Sequence, residues 1–178
     1  MSWRLLARKT SFLVKLIAKS SMLSTDALQQ IDKEIAKYPA NHQASAVMAA
    51  LRIAQEEKGH LTTELMDFVA QYLSMPPIAV YEVGSFYNMY DLAPVGKYKI
   101  AVCTNLPCAL GGANKILRHL QERLGIEINE TTADGKFTLK EAECMGACGD
   151  APLFLINNKQ MNGFLTADKV DQILAELR

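Results

Sequence analysis

The sequence predicts an α/β chain in two parts, a small helical bundle followed by a small mixed sheet with helices packed on it. Three observations carry that expectation. The first part of the 178-residue chain is a succession of short amphipathic helical patterns separated by proline and glycine. Past Pro94 the pattern changes to short apolar runs set between two helical stretches. All four cysteines fall in this second part as two close pairs, Cys103 with Cys108 and Cys144 with Cys148. Hydrophobic residues make up 49% of the chain and its formal net charge is zero. It can therefore bury a real core, and it lacks the basic footprint of a nucleic-acid binder. No apolar run approaches the roughly 20 residues that a membrane span needs, so membrane association is expected only through partners.

Residues 1–21 are set apart by charge. Arg4, Arg8, Lys9, Lys15 and Lys19 are basic, whereas the first acid is Asp26. Leu5, Leu6, Phe12, Leu13, Leu16 and Ile17 fall towards the opposite side of a helical wheel from Arg4, Arg8, Lys15 and Lys19. The composition suits a mitochondrial transit peptide, a basic amphipathic segment on a membrane or partner, or an extension ahead of a true start at Met22. In each case residues 1–21 are expected outside the folded body, disordered or as a lone helix. The helical bundle is expected over 22–91 and the α/β domain over 97–178.

Ser24 or Thr25 can cap a first helix carrying Leu28, Ile31 and Ile35 on one face, with Tyr38-Pro39 as its end. A second helix is expected from Gln43 to Lys58, turning Val47, Leu51 and Ala54 inward and stopping at Gly59. A third starts at Thr62 or Thr63 and runs through Leu65, Phe68, Val69 and Tyr72. Pro76 and Pro77 open a fourth, expected to hold Val80 through Tyr90 with the aromatics Tyr81, Phe86, Tyr87 and Tyr90. Such a stripe is either core or a docking surface. His42, His60 and His119 neighbour no cysteine and read as surface or packing residues.

Asp91 to Gly96 is expected to link the two parts. Tyr98 to Val102 alternates as a strand and delivers Cys103 at its end, and a helix follows Cys108 with Ile116, Leu117, Leu120 and Leu124 inward. The first cysteine pair is therefore expected in a loop ahead of a helix N-terminus, whose partial positive charge lowers thiolate pKa values. Ile126–Ile128 is a possible strand, Asp134-Gly135 a turn, and Phe137–Glu143 a strand leading to Cys144. Leu153–Ile156, the Asn157-Asn158 turn and a short strand at Gln160-Met161 form a hairpin, and Thr166 caps a last helix with Val170, Ile173, Leu174 and Leu177 apolar. A thioredoxin-like arrangement is the natural candidate for this order, with both cysteine pairs leaving strand ends at one sheet edge.

The pairs are spaced C-x4-C and C-x3-C, short enough for one loop to aim both sulfurs at one centre. Four thiolates hold either an iron-sulfur cluster or a structural zinc, and the spacing alone leaves both open. The C-x-x-C of a thioredoxin-type redox pair is absent. Gly111, Gly112, Gly146 and Gly149 crowd the cysteines and favour a cluster, because a residue without Cβ lets amide donors approach an anionic site.

Together, Cys103-Thr-Asn-Leu-Pro-Cys108, Glu143-Cys-Met-Gly-Ala-Cys-Gly-Asp-Ala-Pro152 and Phe86-Tyr-Asn-Met-Tyr90 closely resemble the family of small 2Fe-2S subunits of bacterial NADH:quinone oxidoreductase, respiratory complex I. The likeness extends from about Leu23 to Arg178 and includes the related mitochondrial 2Fe-2S flavoprotein subunit. It implies a thioredoxin-like 2Fe-2S ferredoxin domain behind the helical bundle, with Cys103, Cys108, Cys144 and Cys148 as cluster ligands. The implied function is one-electron exchange between this 2Fe-2S cluster and the FMN of a neighbouring NADH-oxidising subunit. FMN and NADH would be bound by that partner, because this chain lacks the glycine-rich dinucleotide fingerprint after a strand. No NADH oxidation is expected from this chain alone. Other peripheral-arm subunits are further implied partners. The implied place is the cytoplasmic face of the bacterial inner membrane, or the mitochondrial matrix side if residues 1–21 are a transit peptide. Alternatives are the equivalent diaphorase subunit of an NAD-linked hydrogenase or formate dehydrogenase, and a zinc-stabilised structural subunit. The chain departs from the family at Gly84-Ser85-Phe86-Tyr87, where Ala-Thr-Phe-Tyr is usual. Glycine inside a helix costs about 1 kcal/mol relative to alanine, which puts local helix stability in question.

Overall fold

The computed structural model describes residues 22–177, so the expectations for residues 1–21 lie outside the described residues. The chain divides into two compact units, one ending at Pro94 and the other beginning at Val95.

In the first unit, α1 spans Thr25–Ile35. Its cap is Ser24, whose hydroxyl accepts the Ala27 N–H at 3.2 Å. The Ser24 hydroxyl also donates to the Glu57 carboxylate at 2.7 Å, which ties the start of α1 to the end of α2, Val47–Lys58. A 3-10 turn at Gln43–Ala46 precedes α2 where one continuous helix was expected, and no side chain caps either start. Gly59 ends α2 at φ +85, a backbone conformation open to glycine. α3, Thr63–Leu73, is capped by the Thr62 hydroxyl, and α4, Pro77–Phe86, opens on proline. Ile31, Leu51, Leu61, Leu65, Val69, Leu73 and Val80 make the centre of this unit's core.

α4 does not run on to Tyr90. It stops at Phe86, because Tyr87 is extended and the segment beyond it is held by α2. The Gln55 side chain donates to the Met89 carbonyl at 3.0 Å and accepts the Asp91 N–H at 2.6 Å. The Tyr90 hydroxyl donates to the Met48 carbonyl at 2.8 Å. These bonds pull the chain out of the helical path, and the aromatic stripe divides as a result. Tyr90 joins the core, whereas Phe86 and Tyr87 are exposed. Asp91, expected to begin the linker, is buried in this unit, and its carbonyl accepts the Leu61 N–H at 2.7 Å. Gly84 also has a packing reason. A Cβ there would lie 2.8 Å from Met66 Sδ.

The second unit is a four-stranded sheet in the order β2-β1-β3-β4. The strands are β1 Tyr98–Cys103, β2 Phe137–Ala142, β3 Phe154–Ile156 and β4 Gln160–Asn162. β1 and β2 pair parallel, while β1–β3 and β3–β4 pair antiparallel. Three helices complete it: α5 at Leu106–Leu110, α6 at Ala113–Leu124 and α7 at Ala167–Glu176. Ile100, Val102, Leu139 and Phe154 from the sheet pack with Leu117 and Leu120 of α6 and Val170 of α7. Asn157 and Asn158 both take positive φ in the β3–β4 hairpin, as a two-residue turn requires.

Ile126–Ile128 is not a strand. The chain reverses there, with Asn129 at φ +68 and the Glu130 N–H donating to the Glu127 carbonyl at 3.1 Å. The two isoleucines pack on the core from this turn, and the residues after it bond to β2 without forming a strand: the Asn129 N–H donates to the Leu139 carbonyl at 2.7 Å, the Leu139 N–H to the Glu130 carbonyl at 3.1 Å, and Thr131 and Thr138 make an isolated bridge.

Candidate metal centre

Parallel pairing puts the C-terminal ends of β1 and β2 at the same edge of the sheet, with Cys103 in register opposite Ala142. The first cysteine therefore lies beside the strand end that leads to Cys144. The two loops are bonded to each other at that edge. The Thr104 N–H donates to the Ala142 carbonyl at 3.2 Å, and the Asn105 side chain donates to the Glu143 carboxylate at 2.8 Å. The Thr104 hydroxyl donates to the Glu141 carboxylate at 2.5 Å. The residue just before β3 adds a tie from the other side, since the Cys103 N–H donates to the Leu153 carbonyl at 3.1 Å.

Cys108 was expected in a loop and lies instead within the short helical turn α5, which Asn105 caps. Cys103, Cys108, Ala113 and Leu153 form a small buried cluster, against which Met145, Ala147 and Ala151 of the second loop pack. The structure thus brings both pairs together, although with unequal exposure. Cys103 and Cys108 are buried, while Cys144 and Cys148 are exposed.

Electrostatics shows the same proximity. Burial pushes the Cys108 thiol up to about 11, with the Cys103 thiol as hydrogen-bond partner and Cys148 as a further contributor. Cys148 is also raised, first by desolvation of its sulfur although the residue as a whole is exposed, then by Cys144 and Cys103. At Cys108 burial therefore outweighs the lowering expected from a helix end. Desolvation favours the neutral thiol, and a neighbouring thiolate would favour it further.

The residues present fit a binuclear iron-sulfur group. Four soft thiolate donors converge in two pairs, and the Gly146 N–H already donates to Cys144 Sγ at 3.4 Å, the kind of amide-to-sulfur bond that tunes such a centre. Gly146 needs its own φ of +73 to aim that N–H back. Among the described residues, no three His, Cys, Asp or Glu side chains converge on the position of one metal ion. His119, expected to be a packing or surface residue, bonds Asp171 at 2.9 Å, and His42 is exposed.

Sequence reading did not assign a role to Asn105, Glu143, Thr104 or Glu141, whose bonds join the two loops. Their polar types next to the cysteines were the only local signal. It also did not assign one to Gly163 and Phe164, which touch the second loop from beyond β4. The Phe164 N–H donates to the Asp150 carbonyl at 2.6 Å and the Leu165 N–H to the Pro152 carbonyl at 3.0 Å.

Residues 31–178 match the sequence model of the thioredoxin-like 2Fe-2S ferredoxin family. An NADH-quinone oxidoreductase subunit of Rickettsia conorii is 42% identical over 152 residues, which is 85% of this chain and 90% of that protein. The mitochondrial NADH dehydrogenase [ubiquinone] flavoprotein 2 of Dictyostelium discoideum is 39% identical over 150 residues, 82% of this chain and 61% of that protein. Among solved structures, an NAD+-reducing [NiFe]-hydrogenase in the air-oxidised state matches with a TM-score of 0.61 at 23% identity. That match covers 74% of this chain and 22% of the hydrogenase chain, and it speaks to the fold alone.

Proposed function

The chain belongs to the thioredoxin-like 2Fe-2S ferredoxin family, and on that premise we propose that it is the electron-transfer subunit of an NADH:quinone oxidoreductase. In this reading Cys103, Cys108, Cys144 and Cys148 hold one 2Fe-2S cluster, which exchanges single electrons with the FMN of a neighbouring NADH-oxidising subunit. The observation that carries it is the parallel register of β1 and β2, which sets Cys103 beside the approach to Cys144.

When bound, the cluster supplies a one-electron couple in which no bond forms or breaks. The chain's own residues do the rest. Cys103 and Cys108 anchor the site from a buried face, and Leu153 and Ala113 exclude water from that side. The second loop presents Cys144 and Cys148 towards solvent. Leu106 and Leu110 are large apolar side chains left exposed on α5 to either side of Cys108, and they support a protein partner covering this edge. Exposed Phe86 and Tyr87 offer the helical unit a docking contact of its own. FMN and NADH then belong to the partner, and the 22–91 and 97–178 segments divide the work between docking and electron transfer. Among the described residues no helix is long and apolar enough to cross a membrane. A place in the peripheral arm, on the cytoplasmic side in a bacterium, follows from the partner.

Elemental analysis with spectroscopy tests this. Anaerobically purified protein should be coloured, contain two irons and two acid-labile sulfides per chain, and give a paramagnetic signal on reduction. A colourless protein with one zinc per chain would overturn the reading. Copurification with a flavin-containing subunit tests the host complex.

A further inference from the structure

The segment after β4 bears on the second cysteine loop in a way that cluster ligation does not require. The Asp150 carbonyl, at the end of the turn that starts with Cys148, accepts the Phe164 N–H at 2.6 Å. Leu165, buried, repeats the contact one step on through the Pro152 carbonyl at 3.0 Å. Between them these bonds bracket the exit of the loop that carries Cys144 and Cys148. No side chain fits where the segment crosses Asp150. A Cβ on Gly163 would lie 2.7 Å from Asp150 Cβ and 2.8 Å from the same carbonyl oxygen that Phe164 engages. Both are backbone-proximal atoms with no flexible end to yield.

Phe164 itself takes φ +50, uncommon for any residue with a Cβ and most of all for a bulky one. Its ring does not explain this, because the side chain is exposed. The backbone contacts do. The positive φ lies between the Phe164 N–H, which donates to Asp150, and the Leu165 N–H, which donates to Pro152, and the turn is held on its other side by Lys169 Nζ, which donates to the Gly163 carbonyl at 2.7 Å. Lys169 is in turn fixed on α7, where its own N–H donates to the Thr166 hydroxyl at 3.2 Å.

We propose that the Gly163–Phe164 turn is a positioning clamp for the cluster: it braces the exit of the second cysteine loop through Asp150, and so sets how Cys144 and Cys148 and their amide donor are presented. Gly163 and Phe164 touch no ligand; they act through Asp150. The inference rests on the reading that the four cysteines hold a 2Fe-2S cluster.

The test uses the full chain with its cluster assembled, comparing wild type with Gly163→Ala, Lys169→Met and Asn162→Ala. Asn162 adjoins Gly163, but its side chain turns back to donate to the Gln160 carbonyl at 3.3 Å. Iron and sulfide content, the g values of the reduced cluster and its midpoint potential are read for each. Gly163→Ala should keep the iron and sulfide stoichiometry while its g values and midpoint potential shift. Lys169→Met should shift both in the same direction by less, and Asn162→Ala should match wild type. Wild-type g values and potential in Gly163→Ala overturn the clamp. Should Gly163→Ala give no folded protein, Lys169→Met decides, and wild-type values there overturn it equally. Absence of iron and sulfide from the wild type instead overturns the cluster reading beneath it.

Discussion

Cys103 and Cys108 are buried whereas Cys144 and Cys148 face solvent, and this inequality governs how the metal-free chain should react. Iodoacetamide attacks the thiolate, and burial holds the Cys108 thiol up at about 11. Near neutral pH the metal-free protein should therefore be alkylated first at Cys144 and last at Cys108, with the Cys108 rate climbing as pH rises towards 11. Peptide mapping reads that order, and equal labelling at all four positions would contradict it. Replacing Cys144 with alanine should bleach the visible absorption; unchanged iron and sulfide would show that Cys144 is no ligand. Tyr90 gives a second residue-scale test. Burial pushes its phenol up to about 12, so the folded state keeps a proton that the unfolded chain gives up near 10. That contribution to stability is complete below the unfolded value and is lost as pH rises through the folded one. Tyr90→Phe should cost about 1 kcal/mol through the lost bond to the Met48 carbonyl and should flatten the alkaline fall in stability, measured by urea denaturation across pH. The sequence made the cysteines legible because their spacing is short and local. Tyr90 was half legible, since helical periodicity put it beside Phe86 and Tyr87 but could not register the pull of Gln55 and Met48 from another helix.

Among the elements, β2 matters most to the site, because its end delivers the second loop. Leu139 lies at its centre with no exposure. Leu139→Ala should cost about 2–5 kcal/mol in chemical denaturation, the usual range for an emptied leucine site in a core. α4 makes a finer test. Gly84→Ala would gain about 1 kcal/mol of helix propensity in the absence of packing, but the new Cβ displaces Met66 Sδ. The measured gain should therefore fall short of that figure, and a full gain would show that Met66 moves freely. The Thr166 cap and the Asn157-Asn158 turn were readable, the first cap was narrowed to Ser24 or Thr25 and the third helix start to Thr62 or Thr63, and each strand was placed to within a residue at its ends, since these signals are written in a few adjacent residues. Ile126–Ile128 misled because an apolar doublet in a turn has the same alternation as a short strand, and only the positive φ at Asn129 separates them. The Gly163–Phe164 contact was invisible for a different reason. A lone glycine after a hairpin gives no hint of which distant carbonyl it must pass.

At the scale of the whole molecule, each unit has its own core, and the second contains every thiol. A fragment beginning at Val95 should assemble the same cluster with the same visible spectrum, while a fragment ending at Pro94 should bind no iron. Loss of the cluster from the Val95 fragment would show that the helical unit contributes to holding it. The change from helical to strand periodicity announces two parts by itself, but it could not show that Asp91, at the end of the 22–91 segment, is buried there, because the backbone bonds of Asp91 to Gln55 and Leu61 have no local signature.

The side-by-side course of β1 and β2 has one more consequence. Because the two cysteine loops leave neighbouring strands at one edge, anything gripping both acts as a clasp across that ladder and binds the folded state in preference to the unfolded one. By mass action, filling the site must raise the melting temperature of the domain, and emptying it must lower the temperature at which those strands part. A polypeptide waiting for its inorganic cargo is then the most fragile form of this protein, and calorimetry before and after loading would measure by how much.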